Sequence, residues 1–270
     1  MSRIPLGQDI EYPQEYAPEV LFPVARLDAR EILGLTGELP FRGVDIWNAW
    51  ELTWLDADGR PLVATARLSI PADSTNIIES KSLKLYLNSL AMCHYGSVAE
   101  LEKTIAADLS RTVDSRVDVD IYPGPGGPLS VISQLPGECV DELALVAATG
   151  AVDAGLLAVG DQQVTCGELH SHLLRSLCPI TGQPDYGSVL LRYRGARIDP
   201  ASFLSYVVSF RQHDDFHEAC VERMFLDIKT RCAPEELTVY ARYNRRGGLD
   251  INPFRSDFED NAENLRLWRQ

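Results

Sequence analysis

With 270 residues, 45% of them apolar and 24% charged, the chain has the balance of a folded globular protein with room for one large or two ordinary domains. A formal net charge of -14 argues against a broad nucleic-acid footprint, because phosphates must be neutralised by clustered Lys and Arg. The opening MSRIPLGQDIEYPQEYAPEV lacks an apolar run with a basic flank, and no later stretch reaches the roughly 18 apolar residues that span a bilayer. The expectation is a cytoplasmic protein acting on a small molecule, with no membrane and no direct nucleic-acid contact.

Residues 1–40 are rich in Pro, Glu and Leu without clear periodicity and are expected to form an irregular arm. VDIWNAWELTWL and PLVATARLSI are β-rich and flank DADGR, whose Asp58-Gly59 pair predicts a hairpin. SKSLKLYLNSL and SVAELEKTIAADLS carry apolar residues at helical spacing, and RVDVDIYP alternates as a strand. GPGGP at 124–128 breaks the chain, and the acidic stretch up to about Asp161 reads as a connection between modules. CGELHSHLLRSLC suits a helix or a strand, and Pro179 ends either. SVLLRYRG then predicts a strand, DPASFLSYVVSF and FHEACVERMFLDIKTRC two helices, and LTVYARY a strand. A shift of 120 residues lays Tyr86 on Tyr206, Ser89 on Ser209, Val117 on Leu237 and Val119 on Val239, the mark of a weak internal duplication.

Several stretches carry residues capable of chemistry. In SLCPITGQPDYGS, Cys178 and Asp185 sit among turn-formers that present side chains rigidly, yet a buried cysteine beside an ordinary turn fits the same letters. The six cysteines are scattered in a chain without an export signal, so they are expected to be reduced. His170, His172 and Cys178 lie close in sequence, and His217 and Cys220 stand at i, i+3, but no C-x-x-C pair supports a structural zinc site and no metal is expected. His217 and Glu218 share one pocket only if it lies at a helix end, because neighbouring helical residues point about 100° apart. Glu79 and Ser80 open a helix, where free N–H groups favour an anion, with Lys81 and Lys84 adding charge; a solvated basic face explains the same residues. Arg245, Arg246, Gly247 and Gly248 make either a phosphate grip or a surface turn.

Taken together, IESKSLKLYLNS, SLCPITGQPDYGS, VSFRQHDDFHEACVERMF and RRGGLDINPFRS resemble the NADPH-dependent 7-cyano-7-deazaguanine reductases, the nitrile reductases of queuosine biosynthesis, in their longer two-module form. The resemblance runs from about Gly43 over nearly all of the chain. It implies an α+β fold of two tandem tunnelling-fold modules, antiparallel sheets with helices on one face, divided as a 1–40 arm, a first module with connector over 41–160 and a second over 161–270. It also implies a homodimer, NADPH as co-substrate, a deazapurine substrate, and ELHSHLLRS as a strand. By the same resemblance Cys178 corresponds to the nucleophile and Asp185 to the proton donor. Ile78, Glu79, Ser80, His217 and Glu218 correspond to substrate-binding positions, and Ser80, Lys81, Arg246 and Gly247 to NADPH contacts. The pocket is expected at a module interface, since the first module lacks the Cys and Asp and the second has Asp199 in place of the ESKS helix start. Two alternatives share the fold: a zinc-dependent pterin or purine cyclohydrolase, using Cys178 and a histidine as ligands, and a non-catalytic deazapurine-binding scaffold.

Overall fold

The computed structural model describes residues 12–125, 127–147 and 150–270. Residues 1–11 of the expected arm and Gly126 of GPGGP therefore lie outside the described residues. The chain divides into two units, the first formed by 1–38, 45–131 and 245–250, the second by 39–44, 132–244 and 251–270.

In the first unit, β1 (Pro23–Ala25) leads directly into α1 (Arg26–Ile32) and pairs antiparallel with β4 (Asn76–Ile78). The long strand β2 (Arg42–Leu55), which enters this unit at Asp45, lies beside β3 (Pro61–Pro71), and β3 pairs antiparallel with β5 (Asp118–Pro123). The hairpin between β2 and β3 turns where Asp58-Gly59 predicts it: Gly59 has φ +82°, and the Asp56 carboxylate accepts the Asp58 and Arg60 N–H groups. Along β3 the buried residues Ala64, Ala66, Leu68 and Ile70 alternate with less buried ones, the period of a half-covered sheet. The helix α2 (Ser80–Ser89) is buried around most of its surface, whereas α3 (Val98–Val113) buries one stripe, the run Leu101, Ile105, Leu109 and Val113.

The second unit orders its strands β10-β9-β8-β7-β6, where β6 is Glu138–Cys139, β7 Val159–Leu177, β8 Pro184–Ile198, β9 Glu236–Tyr243 and β10 Leu249–Ser256, the last entering this unit at Ile251. These pairings are antiparallel except β6 with β7. The helices α4 (Pro200–Ser209) and α5 (His217–Cys232) complete the unit. The architecture is thus α+β with antiparallel sheets and few helices, and the ambiguous ELHSHLLRS is a strand.

The internal duplication extends to individual hydrogen bonds. At the start of α2, the Glu79 N–H donates to the Phe22 carbonyl (2.9 Å), the Phe22 N–H to Ser82 Oγ (3.0 Å), and that hydroxyl to the Glu79 carbonyl (2.7 Å). At the start of α4, Asp199 N–H donates to the Ala158 carbonyl (2.9 Å), Ala158 N–H to Ser202 Oγ (3.1 Å), and Ser202 Oγ to the Asp199 carbonyl (2.7 Å). Farther along, Ser89 and Ser209 each return a bond to the carbonyl of Tyr86 or Tyr206 (2.6 Å in both), and those tyrosines donate to Asp108 and Asp227 (2.7 Å in both). The equivalence includes the straps 17–22 and 153–158, since Ala17 and Asp153 donate to Ser89 and Ser209. Their offset is 136 residues (153 less 17, 158 less 22) against 120 between α2 and α4, so a fixed shift along the sequence misses them.

Two expectations need correction. The arm is not wholly irregular: α1 is fixed by the buried ion pair of Arg26 with Asp45 (2.5 Å) and by Arg30 donating to the Ala72 carbonyl (2.6 Å), contacts to distant residues that local periodicity does not report. The acidic connection contributes the short strand β6, which sits on the edge of β7. The RRGGL segment is the turn that the sequence offered as one of two readings, with Arg246 and Leu249 bonded to each other and Gly247 and Gly248 both at positive φ.

The repeated tyrosine bonds are not energetically equal. Asp108 also accepts from Tyr16 and Arg111, whereas the other charged neighbour of Asp227 is Arg223 at 3.9 Å. Tyr206→Phe should therefore cost about 2 kcal/mol of unfolding free energy and Tyr86→Phe about 1 kcal/mol. Urea denaturation of both variants checks this; equal losses, or the opposite order, contradict it.

Candidate active site

Four of the expected site residues come together in the second unit, on adjoining elements. β7 and β8 form a hairpin in register Ser176↔Asp185 and Leu177↔Pro184. The loop between them is closed by Cys178 N–H donating to the Gln183 carbonyl and Gly182 N–H to the Cys178 carbonyl (2.9 Å each). Cys178, 4% exposed, is thus the first residue beyond β7, and Asp185, 9% exposed, is the second residue of β8. The backbone of Leu177 is also bonded to 213–215: its N–H donates to the His213 carbonyl and its carbonyl accepts from Asp215 N–H. That contact anchors the segment running into α5 alongside the cysteine.

α5 begins at His217, so His217 and the buried Glu218 both lie at a helix end, where two consecutive residues can serve one pocket. His217 Nε2 lies 3.2 Å from Asp185 Oδ2. The imidazole stacks face to face on Tyr243, with ring centres 3.7 Å apart and planes inclined by 3°. Tyr243 is in turn paired in the sheet with Gly187, two residues beyond Asp185; a Cβ at Gly187 would approach the tyrosine ring to 3.2 Å. Burial pushes the thiol of the fully buried Cys220 and the phenol of Tyr243 well above their ordinary values. Cys220 is thereby an inert packing thiol. Among the described residues, the three-ligand grouping suited to a metal is Cys139 with His170 and His172; it contains neither Cys178 nor His217 nor Cys220.

The other expected positions fall in the first unit. Ile78 ends β4, buried and paired with Pro23. Glu79 is completely buried and caps α2 with its own carboxylate, one oxygen accepting Lys81 N–H (2.7 Å) and the other Ser82 N–H (2.8 Å). Those two N–H groups are therefore already occupied, which corrects the expectation of open amides for an anion at this helix start. The glycine turn faces Lys84: a Cβ at Gly247 would come within 3.1 Å of Lys84 Cε. Arg245 lies over the Trp50 ring at 4.2 Å. Glu51, Thr53, Lys84, Asn88, Gly247 and Gly248 line a cleft of about 260 Å³. The first unit thus joins a basic α2 side chain to the RRGG turn, while Cys178, Asp185, His217 and Glu218 belong to the second.

Residues 12–121 match the family described as nitrile reductase, 7-cyano-7-deazaguanine-reductase N-term, and residues 184–262 match the QueF-like protein family. The chain is 50% identical over 269 residues to the NADPH-dependent 7-cyano-7-deazaguanine reductase of Desulfotalea psychrophila, covering 99% of this chain and 97% of that one. The chain belongs to this reductase family. A solved structure, the archaeosine synthase QueF-Like in the apo form, aligns with 37% of the chain and 100% of its own length at 20% identity and a TM-score of 0.34. No helix among the described residues is long and apolar enough to cross a membrane.

In this family member the side chains that sequence reasoning overlooked are those holding the named ones. Tyr243 occurs in a strand pattern that explains it as core, and only the fold shows it under His217. Asp215 looks like one of several solvated acids in HDDF, yet burial pushes its carboxyl up to about 6, opposed by the Phe216 N–H it accepts. A carboxyl raised from 3.8 binds its proton more tightly in the folded chain, so the stability this confers is full below about pH 4 and is lost as pH rises through 6. Asp215→Asn keeps the acceptor for Phe216 and removes the titration. Relative to wild type it should gain on the order of 2 kcal/mol between pH 4 and pH 7. Melting curves across that range test this, and parallel pH profiles for the two proteins contradict it.

Proposed function

We propose that this chain reduces the nitrile of 7-cyano-7-deazaguanine to the primary amine of 7-aminomethyl-7-deazaguanine at the expense of two NADPH, through a covalent thioimidate on Cys178, in queuosine biosynthesis. What supports the reading above all is the near-full-length identity to a reductase of that name, together with a buried cysteine and carboxylate on the two arms of one hairpin.

The chemistry follows from the residues. A nitrile carbon is a poor hydride acceptor, and addition of the Cys178 thiolate forms a C–S bond and a C=N nitrogen that takes up a proton. In this reading Asp185 supplies that proton, and His217, whose Nε2 lies 3.2 Å from Asp185 Oδ2, orients the carboxyl and later returns the proton. The stack on Tyr243 removes rotational freedom from the imidazole, so the acid is held before substrate arrives. NADPH, when bound, supplies hydride twice: the first gives a thiohemiaminal, thiol expulsion gives an imine, and the second gives the amine. Glu218, with His217 and Glu79, suits the N–H edge of a deazaguanine, since a carboxylate only accepts. Ile78 and Ser80 flank Glu79 on either side and complete the substrate set. Ser80, Lys81, Arg246 and Gly247 form the proposed NADPH set, and Lys84 joins it. A side chain at Gly247 would crowd Lys84, so the turn leaves space there for a phosphate oxygen.

Neither unit holds the full set, so neither is proposed to act alone. The arm at 1–40 and the modules at 41–160 and 161–270, tunnelling-fold assembly into a homodimer, a cytoplasmic location, and the absence of a resident metal in the reaction and of direct nucleic-acid contact complete the proposal.

Incubation of wild type with the nitrile, without NADPH, should add the full mass of the nitrile to the intact protein, and Cys178→Ala should show no adduct. An adduct on both, or on neither, overturns the nucleophile. Asp185→Asn should keep substrate binding while losing at least about 10²-fold in NADPH oxidation, the usual scale of a general acid. An unchanged turnover rate removes Asp185 from the mechanism.

A further inference from the structure

The H-S-H of β7, which the reductase reading leaves unused, acquires a third partner from the connection preceding it. β6 runs parallel to β7 with Cys139 opposite His170, and His172 follows on the same face of β7 because side chains alternate along a strand. One ring nitrogen of each histidine and the Cys139 sulfur all lie within 4.8 Å of one another. The histidine rings are 5.3 Å apart in an edge arrangement.

The surroundings resemble the outer shell of a metal site. His170 Nδ1 lies 2.8 Å from the Pro136 carbonyl, which can only accept, so Nδ1 carries the proton and Nε2 the lone pair. His172 Nδ1 lies 2.7 Å from Ser188 Oγ, a hydroxyl that can accept from Nδ1 and so allows the tautomer with a free Nε2. Behind the ligands, the Asp141 carboxylate accepts from Ser171 Oγ (2.6 Å) and His172 N–H (3.0 Å) and is hydrogen-bonded with Cys139. A dication bound as Cys thiolate with two neutral imidazoles, beside one carboxylate, is electrically balanced. Arg269, bonded to the His172 carbonyl, lies on the rim.

We infer that Cys139, His170 and His172 bind a zinc-class divalent cation that staples β6 to β7, separately from the nitrile chemistry. One sulfur and two imidazoles with a fourth position open to water or Asp141 is a donor set for a borderline-soft cation in tetrahedral coordination. On binding, the metal replaces the thiol proton, which passes to solvent, and no electron is transferred. A strand of two residues has little pairing of its own, so a metal bond at Cys139 would fix the connection where it meets the sheet.

The test is cobalt titration of the full chain after dialysis against a chelator. Wild type should develop a thiolate-to-cobalt charge-transfer band with visible bands of tetrahedral cobalt, saturating at one ion per chain and displaced by zinc. Cys139→Ser, at an exposed position, should lose the charge-transfer band. His172→Gln should weaken binding at least about 10-fold. Cys178→Ser should keep the full signal. Zinc should raise the Tm of wild type and leave that of Cys139→Ser unchanged. Absence of the band in wild type, its survival in Cys139→Ser, or its loss in Cys178→Ser overturns the assignment; a band that moves with Cys178 would instead place the metal at the reactive cysteine.

Discussion

The register between β7 and β8 is the constraint on which the arrangement of Cys178, Asp185 and His217 rests. Side chains alternate along a strand with a period of two, so a slip of one residue against β7 would turn Asp185 to the opposite face, away from His217. The closed loop from Cys178 to Gln183 opposes such a slip, and so does the pairing of Gly187 with Tyr243 on the other side of β8. Because Tyr243 carries His217 on its ring, the same pairing positions both Asp185 and His217. Packing at Gly187 matters for the same reason, since any larger residue would push on the ring that supports the imidazole.

Buried polar groups hold this frame at the end of β9. Gln270 donates to the Tyr243 carbonyl and to Asn252 Oδ1, and it accepts from Arg242, which also reaches Tyr240 and Asn264. Arg255 is paired with Glu222 on α5 at 2.9 Å with both side chains buried. Such pairs add little net stability over apolar packing, but removing one partner strands a charge, so they penalise alternative arrangements strongly. The helix carrying His217 and Glu218 and the strand carrying Tyr243 are therefore tied to their neighbours by groups that tolerate few other partners.

The duplication gives the arm and the connection a common purpose. In each unit a short strap, 17–22 or 153–158, meets two serines of a helix, and a carboxylate caps that helix. Asp199 is just long enough to cap Ser202 N–H, whereas Glu79, one methylene longer, reaches both Lys81 and Ser82 N–H groups with separate oxygens. A carboxylate held by two N–H bonds has little freedom to turn, and the proposed function uses it as a fixed acceptor for a heterocyclic N–H edge.

Much of this was readable from the letters. Periodicity located the hairpin at Asp58-Gly59, the stripe of α3 and the central strands, because local spacing reports which face meets a core. The motifs around Cys178, Glu79, His217 and Arg246 identified the family and the residues to examine. What the letters could not supply were relations between distant positions. The sequence does not disclose that Arg26 would order α1 through Asp45, that Tyr243 would lie flat beneath His217, or that Cys139 would meet His170 and His172 across a two-residue strand. Local pattern is set by burial on one side of an element and is written in neighbouring residues. Which side chains then face one another depends on register and packing, and those are decided only when the strands pair.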